Sequence, residues 1–287
     1  MSEKIIAEGV EAVLGERLLS TRQMGGGCIG EVYKVELADG TTLVAKVDRK
    51  AESHLEREAY MLRYLREYSE LPVPEVFHGT QTLLLMQFVE GSNSFFSDAS
   101  QRHAAELLAA LHEITAGAYG HERDTLIGSL KQPNPPTKSW VEFFRDQRLF
   151  YLAEVAHRSG RLPSEDVKQI QRLAERLEEL IEEPERPSLI HGDVWSGNVL
   201  AKGERVTAFL DPAIYYADSE VELAFISLFN SFGEPFFERY EEIRGIRAGF
   251  FEVRRDLYSL YPLLVHVYFF GGGYLSSVRA TLRRFGV

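Results

Sequence analysis

Apolar positions follow two rhythms along this chain. Before residue 90 they gather in short runs, several of them β-branched; beyond it they recur at three- and four-residue intervals, and that period separates strand from helix. The opening MSEKIIAEGVEAVLGERLL is interrupted by Glu and Lys at short intervals and predicts an amphipathic helix. Val32 to Leu37 and Thr41 to Val47 are rich in β-branched residues and flank Asp39-Gly40, a strong hairpin signal. Residues 52–69 contain no Gly or Pro and repeat Leu55, Ala59, Leu62 and Leu65 at helical spacing. Pro72 and Pro74 stop that helix, and the apolar run Leu83 to Val89, ending at Gly91, has the length and flanks of a buried strand.

The rest reads as helical. Ser100 is placed to cap a helix whose Ala104, Leu107, Leu108 and Leu111 share one face. Asp166 to Glu183 predicts another, through Val167, Ile170, Leu173, Leu177, Leu180 and Ile181. Between them lie the proline-rich loop Lys131 to Lys138 and Trp140, Phe143, Phe144 and Leu149 at helical spacing; Asp256 to Gly273, dense in Tyr, Leu and Phe, predicts a core helix. No internal repeat or low-complexity tract is present.

Composition narrows the class. With 287 residues, and roughly 100–200 per domain, two domains or one two-lobed domain are expected. The 32 Lys+Arg stand against 43 Asp+Glu, a net charge of -11, whereas binding to a phosphate backbone needs clustered positive charge. Nucleic acid is therefore not an expected partner. The single cysteine, Cys28, cannot close an internal disulfide, no Cys/His cluster has zinc-ligand spacing, and the first segment lacks the apolar stretch of a signal peptide or membrane span. A cytoplasmic protein is expected.

Three motifs carry chemistry. Gly25, Gly27 and Gly30 satisfy G-x-G-x-x-G, and Val32 extends the match to the kinase form. A dinucleotide fingerprint would open a helix, but Glu31 to Leu37 reads as a strand, so Gly25, Gly26, Gly27, Cys28, Ile29 and Gly30 predict a flap over ATP phosphates. Lys46 lies in an apolar strand, and Glu58 stands on the apolar seam of the next helix; an inward charge needs a partner, and the two are paired here. In SLIHGDVWSGNVL, Asn198 follows Asp193 by five residues, the spacing of the kinase catalytic loop, and Asp211-Pro212-Ala213 comes thirteen residues after Asn198 at the end of the apolar run Val206 to Leu210. Asp193 is then the base for an attacking hydroxyl, and Asn198 and Asp211 are Mg²⁺ ligands. Paired carboxylates also suit glycoside hydrolysis, but that reading leaves the flap, Lys46 and Asn198 unexplained.

The order of elements resembles the protein-kinase-like superfamily, and the fold expected is α+β with two lobes. Residues 1–90 form a small β-sheet and helix N-lobe; residues 91–287 form a larger, mainly helical C-lobe. His191-Gly192-Asp193 replaces H-R-D, Asp211-Pro212-Ala213 replaces D-F-G, and no A-P-E follows, as in small-molecule kinases of the aminoglycoside phosphotransferase and choline kinase type. Within that group the chain resembles the fructosamine-3-kinase (ketosamine kinase) family over nearly its whole length. The carriers are GGGCIGEVY, Leu126-Ile127-Gly128 with Gln132 and Asn134, Trp140 with Phe143-Phe144, HGDVWSGN, DPAIYYADSE and LYPLLVHVYFFGGGY.

That resemblance implies ATP- and Mg²⁺-dependent phosphorylation of the 3-hydroxyl of a ketosamine, either a small molecule or a glycated protein lysine, with release of the amine when the product decays. It implies an adenine hinge at Gln87, Phe88 and Val89, a phosphate clamp of Lys46 with Glu58, and substrate contacts from Trp195 and His266. Val265 stands where the family commonly has Asn, and Glu222, a brace for the catalytic loop, where it usually has Asp. Cys28 is a redox candidate, so the protein is expected as a monomer or a Cys28-linked homodimer. An aminoglycoside- or choline-type phosphotransferase and a non-catalytic nucleotide-binding scaffold are the alternatives.

Overall fold

The computed structural model describes residues 1–25, 30–50 and 54–287. Five antiparallel strands build the N-terminal sheet: β1 (Leu18–Met24), β2 (Glu31–Leu37), β3 (Thr42–Val47), β4 (Val76–Gly79) and β5 (Leu83–Gln87), in the order β1-β2-β3-β5-β4. At the predicted β2–β3 hairpin, Asp39 Oδ1 accepts the N–H of Thr41 at 2.8 Å, closing the turn. The strands β1 and β4 were not foreseen. β1 (LLSTRQM) is half-buried at two positions and exposed at the rest, so it lacks the apolar alternation that marks a strand.

Two helices sandwich the sheet, and strand alternation decides what each meets. Leu43, Ala45 and Val47 of β3 pack with Leu83 and Leu85 against Ile6 and Val10 of α1 (Ser2–Leu14). Val44 faces the other way, with Leu84 and Met86, onto Leu55, Ala59 and Leu62 of α2 (Leu55–Tyr68). Lys46 shares that second face by parity, opposite Leu84. A lysine in the middle strand of the sheet thereby points at a helix.

The rest of the chain is largely helical. Its elements are α3 (Asp98–His112), the hairpin β6 (Thr125–Ile127) and β7 (Leu130–Gln132), α4 (Trp140–Phe143), a π-helical turn (Phe144–Phe150), α5 (Tyr151–Arg158), α6 (Ser164–Ala174) and α7 (Leu177–Leu180). There follow β8 (Ser188–Ile190), β9 (Val199–Lys202), β10 (Arg205–Phe209), β11 (Tyr215–Ala217), α8 (Glu220–Leu228), α9 (Glu234–Arg244), a second π-helical turn (Phe250–Arg254), α10 (Arg255–Phe270) and α11 (Gly273–Arg284). The predicted core helix is α10, which buries residues around its whole circumference and accommodates Pro262.

Two boundaries differ from expectation. The cap of α3 is Ser97, whose side chain accepts the N–H of Ser100; the predicted cap lies inside the helix. The helix expected over 166–183 is two, because Glu175 and Arg176 leave the helix between α6 and α7. One apolar core runs from α2 through all the C-terminal helices, and a smaller one lies between α1 and the outer sheet face. Among the described residues no helix is long and apolar enough to cross a membrane.

Candidate active site

Lys46 Nζ donates to Glu58 Oε1 at 2.6 Å and to Asp211 Oδ1. Register aims the lysine at α2, and Glu58, in the first turn of that helix, faces inward and is 8% exposed. Burial opposes the ammonium's charge, but Asp211 and Glu58 outweigh it and hold Lys46 above the ordinary lysine range. Burial lifts Glu58 to about 7 despite Lys46. Burial pushes Asp211 up as well, but Lys46 outweighs it and holds the carboxyl below the usual range.

Asp193 and Asp211 come from two neighbouring returns of the chain. β8 pairs with β11, and β9 with β10, so the loops after β8 and β10 leave side by side. The N–H of Ala213 donates to His191 O at 2.7 Å, and that of Leu210 to Asn198 O at 2.8 Å. Gly192 makes the approach possible: at φ 86°, a Cβ here would lie 2.2 Å from Ala213 O. Asp211 has φ 51°, a left-handed conformation uncommon for a residue with a side chain.

Asn198 Nδ2 donates to Asp193 Oδ2 at 2.9 Å and to Asp193 O at 3.0 Å. The amide oxygen of Asn198 is thus the end left for a ligand. Burial and the charge of Asp211 push Asp193 up to about 8, against the Asn198 bond. Two carboxylates short of positive charge, with an amide oxygen beside them, form a hard oxygen donor set that suits Mg²⁺. Among the described residues no three His, Cys, Asp or Glu side chains cluster to hold a metal. The set therefore fits an ion that takes few protein ligands and leaves places for phosphate and water.

Glu222 of α8 reaches under the loop from behind. Its Oε1 accepts the N–H of Gly192 at 2.6 Å and its Oε2 that of His191 at 3.2 Å. His112 Nε2 donates to Oε2 at 2.9 Å, and His112 Nδ1 meets the Tyr240 hydroxyl at 2.6 Å. Burial pushes Glu222 up, but these donors win and its carboxyl lies below the usual range. His112 and Tyr240 were not anticipated, since nothing local links them to residue 222.

The remaining candidates fall in different places. Trp195 is no core tryptophan: it is 43% exposed, and its ring lies over Gly197, where a Cβ would be 2.2 Å from it. His266 is half-buried among Phe229, Phe270 and Tyr274, with Nδ1 donating to Pro262 O at 2.8 Å, and burial lowers its pKa. Gln87 ends β5, and its N–H already donates to Glu75 O at 2.8 Å, so that group is not open to adenine. Lys34 Nζ lies 4.6 Å from the ring centroid of Phe88, beside half-buried Val89. Gly25 and Gly30 are the two ends of the predicted flap; Gly26, Gly27, Cys28 and Ile29 lie outside the described residues.

Known proteins share this organisation. The fructosamine kinase family model matches residues 2–285. A candidate ketoamine kinase of Synechocystis sp. is 32% identical over 97% of this chain and 95% of its own. The chloroplastic protein-ribulosamine 3-kinase of Arabidopsis thaliana is 31% identical over 90% of this chain and 80% of its own. The crystal structure of a Thermobifida fusca candidate fructosamine-3-kinase has a TM-score of 0.85 at 32% identity, covering 97% of this chain and 98% of that one. An aminoglycoside phosphotransferase, 17% identical with a TM-score of 0.70 over both full lengths, shares the fold.

Proposed function

This chain belongs to the fructosamine kinase family, and we propose that it transfers the γ-phosphoryl group of ATP to the 3-hydroxyl of a ketosamine. Ribulosyl, erythrulosyl and fructosyl adducts of amines or protein lysines are the substrate class, and decay of the 3-phosphate returns the free amine. The observation that carries this reading is one ammonium, Lys46, joining Glu58 and Asp211 in a chain that also pairs Asp193 with Asn198.

In this reading residues 1–90 are the N-lobe and 91–287 the C-lobe. The acceptor hydroxyl gives its proton to Asp193 as the oxygen–phosphorus bond forms and the bond to the β-phosphate oxygen breaks, so ADP leaves. Burial and the charge of Asp211 raise the proton affinity of Asp193, which makes its ionised form a stronger base. Asn198 and Asp211 would hold Mg²⁺, which supplies charge to the phosphates. Lys46, oriented by Glu58, binds phosphate oxygens, and the 25–30 flap covers them. Adenine is met at the 87–89 edge by carbonyl oxygens or the N–H of Val89. Trp195 walls the sugar, with His266 as a further contact. One cysteine in 287 residues favours a reducing cytoplasm.

A coupled ADP-release assay over ribulosyl-, erythrulosyl- and fructosyl-lysine tests the reading, with choline and kanamycin as controls. Turnover confined to ketosamines is expected. Turnover with choline or kanamycin alone removes the substrate assignment, and Mg·ATP binding without transfer to any acceptor removes catalysis.

A further inference from the structure

We infer that Arg148, acting through Asn134 and Thr125, is a positioning residue for segment 211–214, which carries Asp211; the inference rests on the kinase reading above. Arg148 sits on the π-helical turn Phe144–Phe150 and is fully buried. A buried guanidinium usually requires a carboxylate, because desolvating an unpaired charge costs several kcal/mol even after relaxation. Among the described residues its hydrogen-bond partners are two backbone carbonyls, of Pro133 and Gln147, and the side-chain amide of Asn134, with no carboxylate. Its Cζ lies 4.0 Å from the ring centroid of Tyr215 and 4.7 Å from that of Phe143. Nη1 donates to Pro133 O at 2.8 Å, and Nη2 to Asn134 Oδ1 at 2.7 Å.

That last bond sets the direction of a network. A guanidinium only donates, so Asn134 must present its oxygen to Arg148 and its nitrogen the other way. The nitrogen donates to Thr125 Oγ1 at 2.8 Å, and Gln132 Nε2 donates to the same oxygen at 2.8 Å. With both lone pairs engaged, the Thr125 hydroxyl donates its proton to Ile214 O at 3.0 Å. Gln132 also donates to Ala213 O at 3.1 Å and accepts the Tyr261 hydroxyl.

Two successive carbonyls just beyond Asp211 are thereby fixed, and the Ala213 N–H is fixed to His191 O. Asp211 holds a backbone conformation that a side chain disfavours and that persists only where its surroundings over-determine it. The network supplies that determination. Replacing Arg148 with an apolar residue frees the Asn134 amide to turn over, which reverses the polarity at Thr125 and releases Ile214.

The test uses the full chain with Arg148→Met, Arg148→Lys, Thr125→Val and Thr125→Ser. Free Mn²⁺ is followed by electron paramagnetic resonance during titration with ADP present, alongside the Mg²⁺ dependence of ADP release with ribulosyl-lysine. Arg148→Met and Thr125→Val are expected to weaken Mn²⁺ binding by about tenfold, as loss of an outer-shell partner does, with acceptor KM within about twofold of wild type. Lys and Ser should recover most of the loss. If Arg148→Met does not fold, the Thr125 pair decides. Lower melting temperatures with native Mn²⁺ affinity overturn the inference and leave the kinase reading intact. A wild type that binds Mn²⁺ with ADP yet ignores every ketosamine fails the substrate reading, while weakened Mn²⁺ binding in the variants still supports the positioning role.

Discussion

Two stretches of the C-terminal half, 193–211 and 218–222, carry carboxylates that treat their charge in opposite ways. In the second stretch the negative groups have donors of their own. Asp218 accepts Arg247 and, at 2.6 Å, the Tyr258 hydroxyl; Glu220 accepts Arg254 Nε at 2.5 Å and Arg247 Nη2 at 3.0 Å. Two arginines answer two carboxylates, even though burial still pushes Asp218 up against the pull of Arg247. In the first stretch Asp193 has an amide, while Asp211 shares one lysine with Glu58. One ammonium serves two carboxylates, and the third is met by an amide in place of a cation. Burial is common to both regions; the shortage of positive charge is what marks the one proposed to bind nucleotide and metal.

The hardest test of that difference is Asp193→Asn. Loss of a positioned base is expected to lower kcat by about 10²–10⁴-fold. The same change should stabilise the nucleotide-free protein. Asp193 titrates at about 8 when folded, far above its ordinary value of 3.8. Between those values the folded chain holds a proton that the unfolded chain has released, so stability falls as pH rises and the penalty is complete above about 8. At pH 9 the variant should gain at least about 1 kcal/mol, or about 2–4 °C in Tm, and at pH 4 nothing. A variant that melts earlier than wild type at pH 9 would make Asp193 a stabilising carboxylate like Glu220 and erase the comparison.

The opposite region should respond in the opposite way to Arg254→Met. Glu220 then keeps only Arg247, and breaking a buried pair costs about 3–5 kcal/mol. Thermal melts are expected to shift down by roughly 10 °C, with kcat/KM at a temperature below the transition within twofold of wild type. A fall in kcat/KM at an unshifted Tm would place Glu220 in the site.

How much of this was legible in the residues depends on where each signal lies. Glu58 betrayed itself by sitting on an apolar helical seam, and Asp193 with Asn198 by a fixed local spacing. Helix α10 declared itself through unbroken apolar content. Edge strands β1 and β4 did not, because an edge needs little apolar alternation. Ser97 and Ser100 are both good caps, and only backbone geometry chooses between them. Arg148 was invisible for a stronger reason: its partners are the carbonyls of Pro133 and Gln147, the Asn134 amide and aromatic faces, none of which leaves a complementary charge to find. The raised proton affinity of Asp193 was likewise tertiary, since it arises from burial and from Asp211 approaching across two chain returns.

Glu222 stands between the two regions and gives the smallest effect. It belongs by chain position to the balanced stretch, yet it accepts N–H groups from the loop that carries Asp193, at 2.6 Å from Gly192 and 3.2 Å from His191. Shortening it in Glu222→Asp draws the carboxylate back by about one carbon–carbon bond, about 1.5 Å. It cannot then reach the loop and His112 together. His112 is fixed from its far side by Tyr240 at 2.6 Å, so the ring holds its place and the loop contact lengthens. Losing part of a charged hydrogen bond is worth about 1.5 kcal/mol, so kcat should fall about tenfold. KM for ATP should not move, because Lys46 and the sheet are untouched. If Tm falls by several degrees while kcat holds, Glu222 behaves as Glu220 does and its place is with the structural carboxylates. A fall in kcat at nearly constant Tm makes it the point through which the balanced region sets the geometry of the unbalanced one.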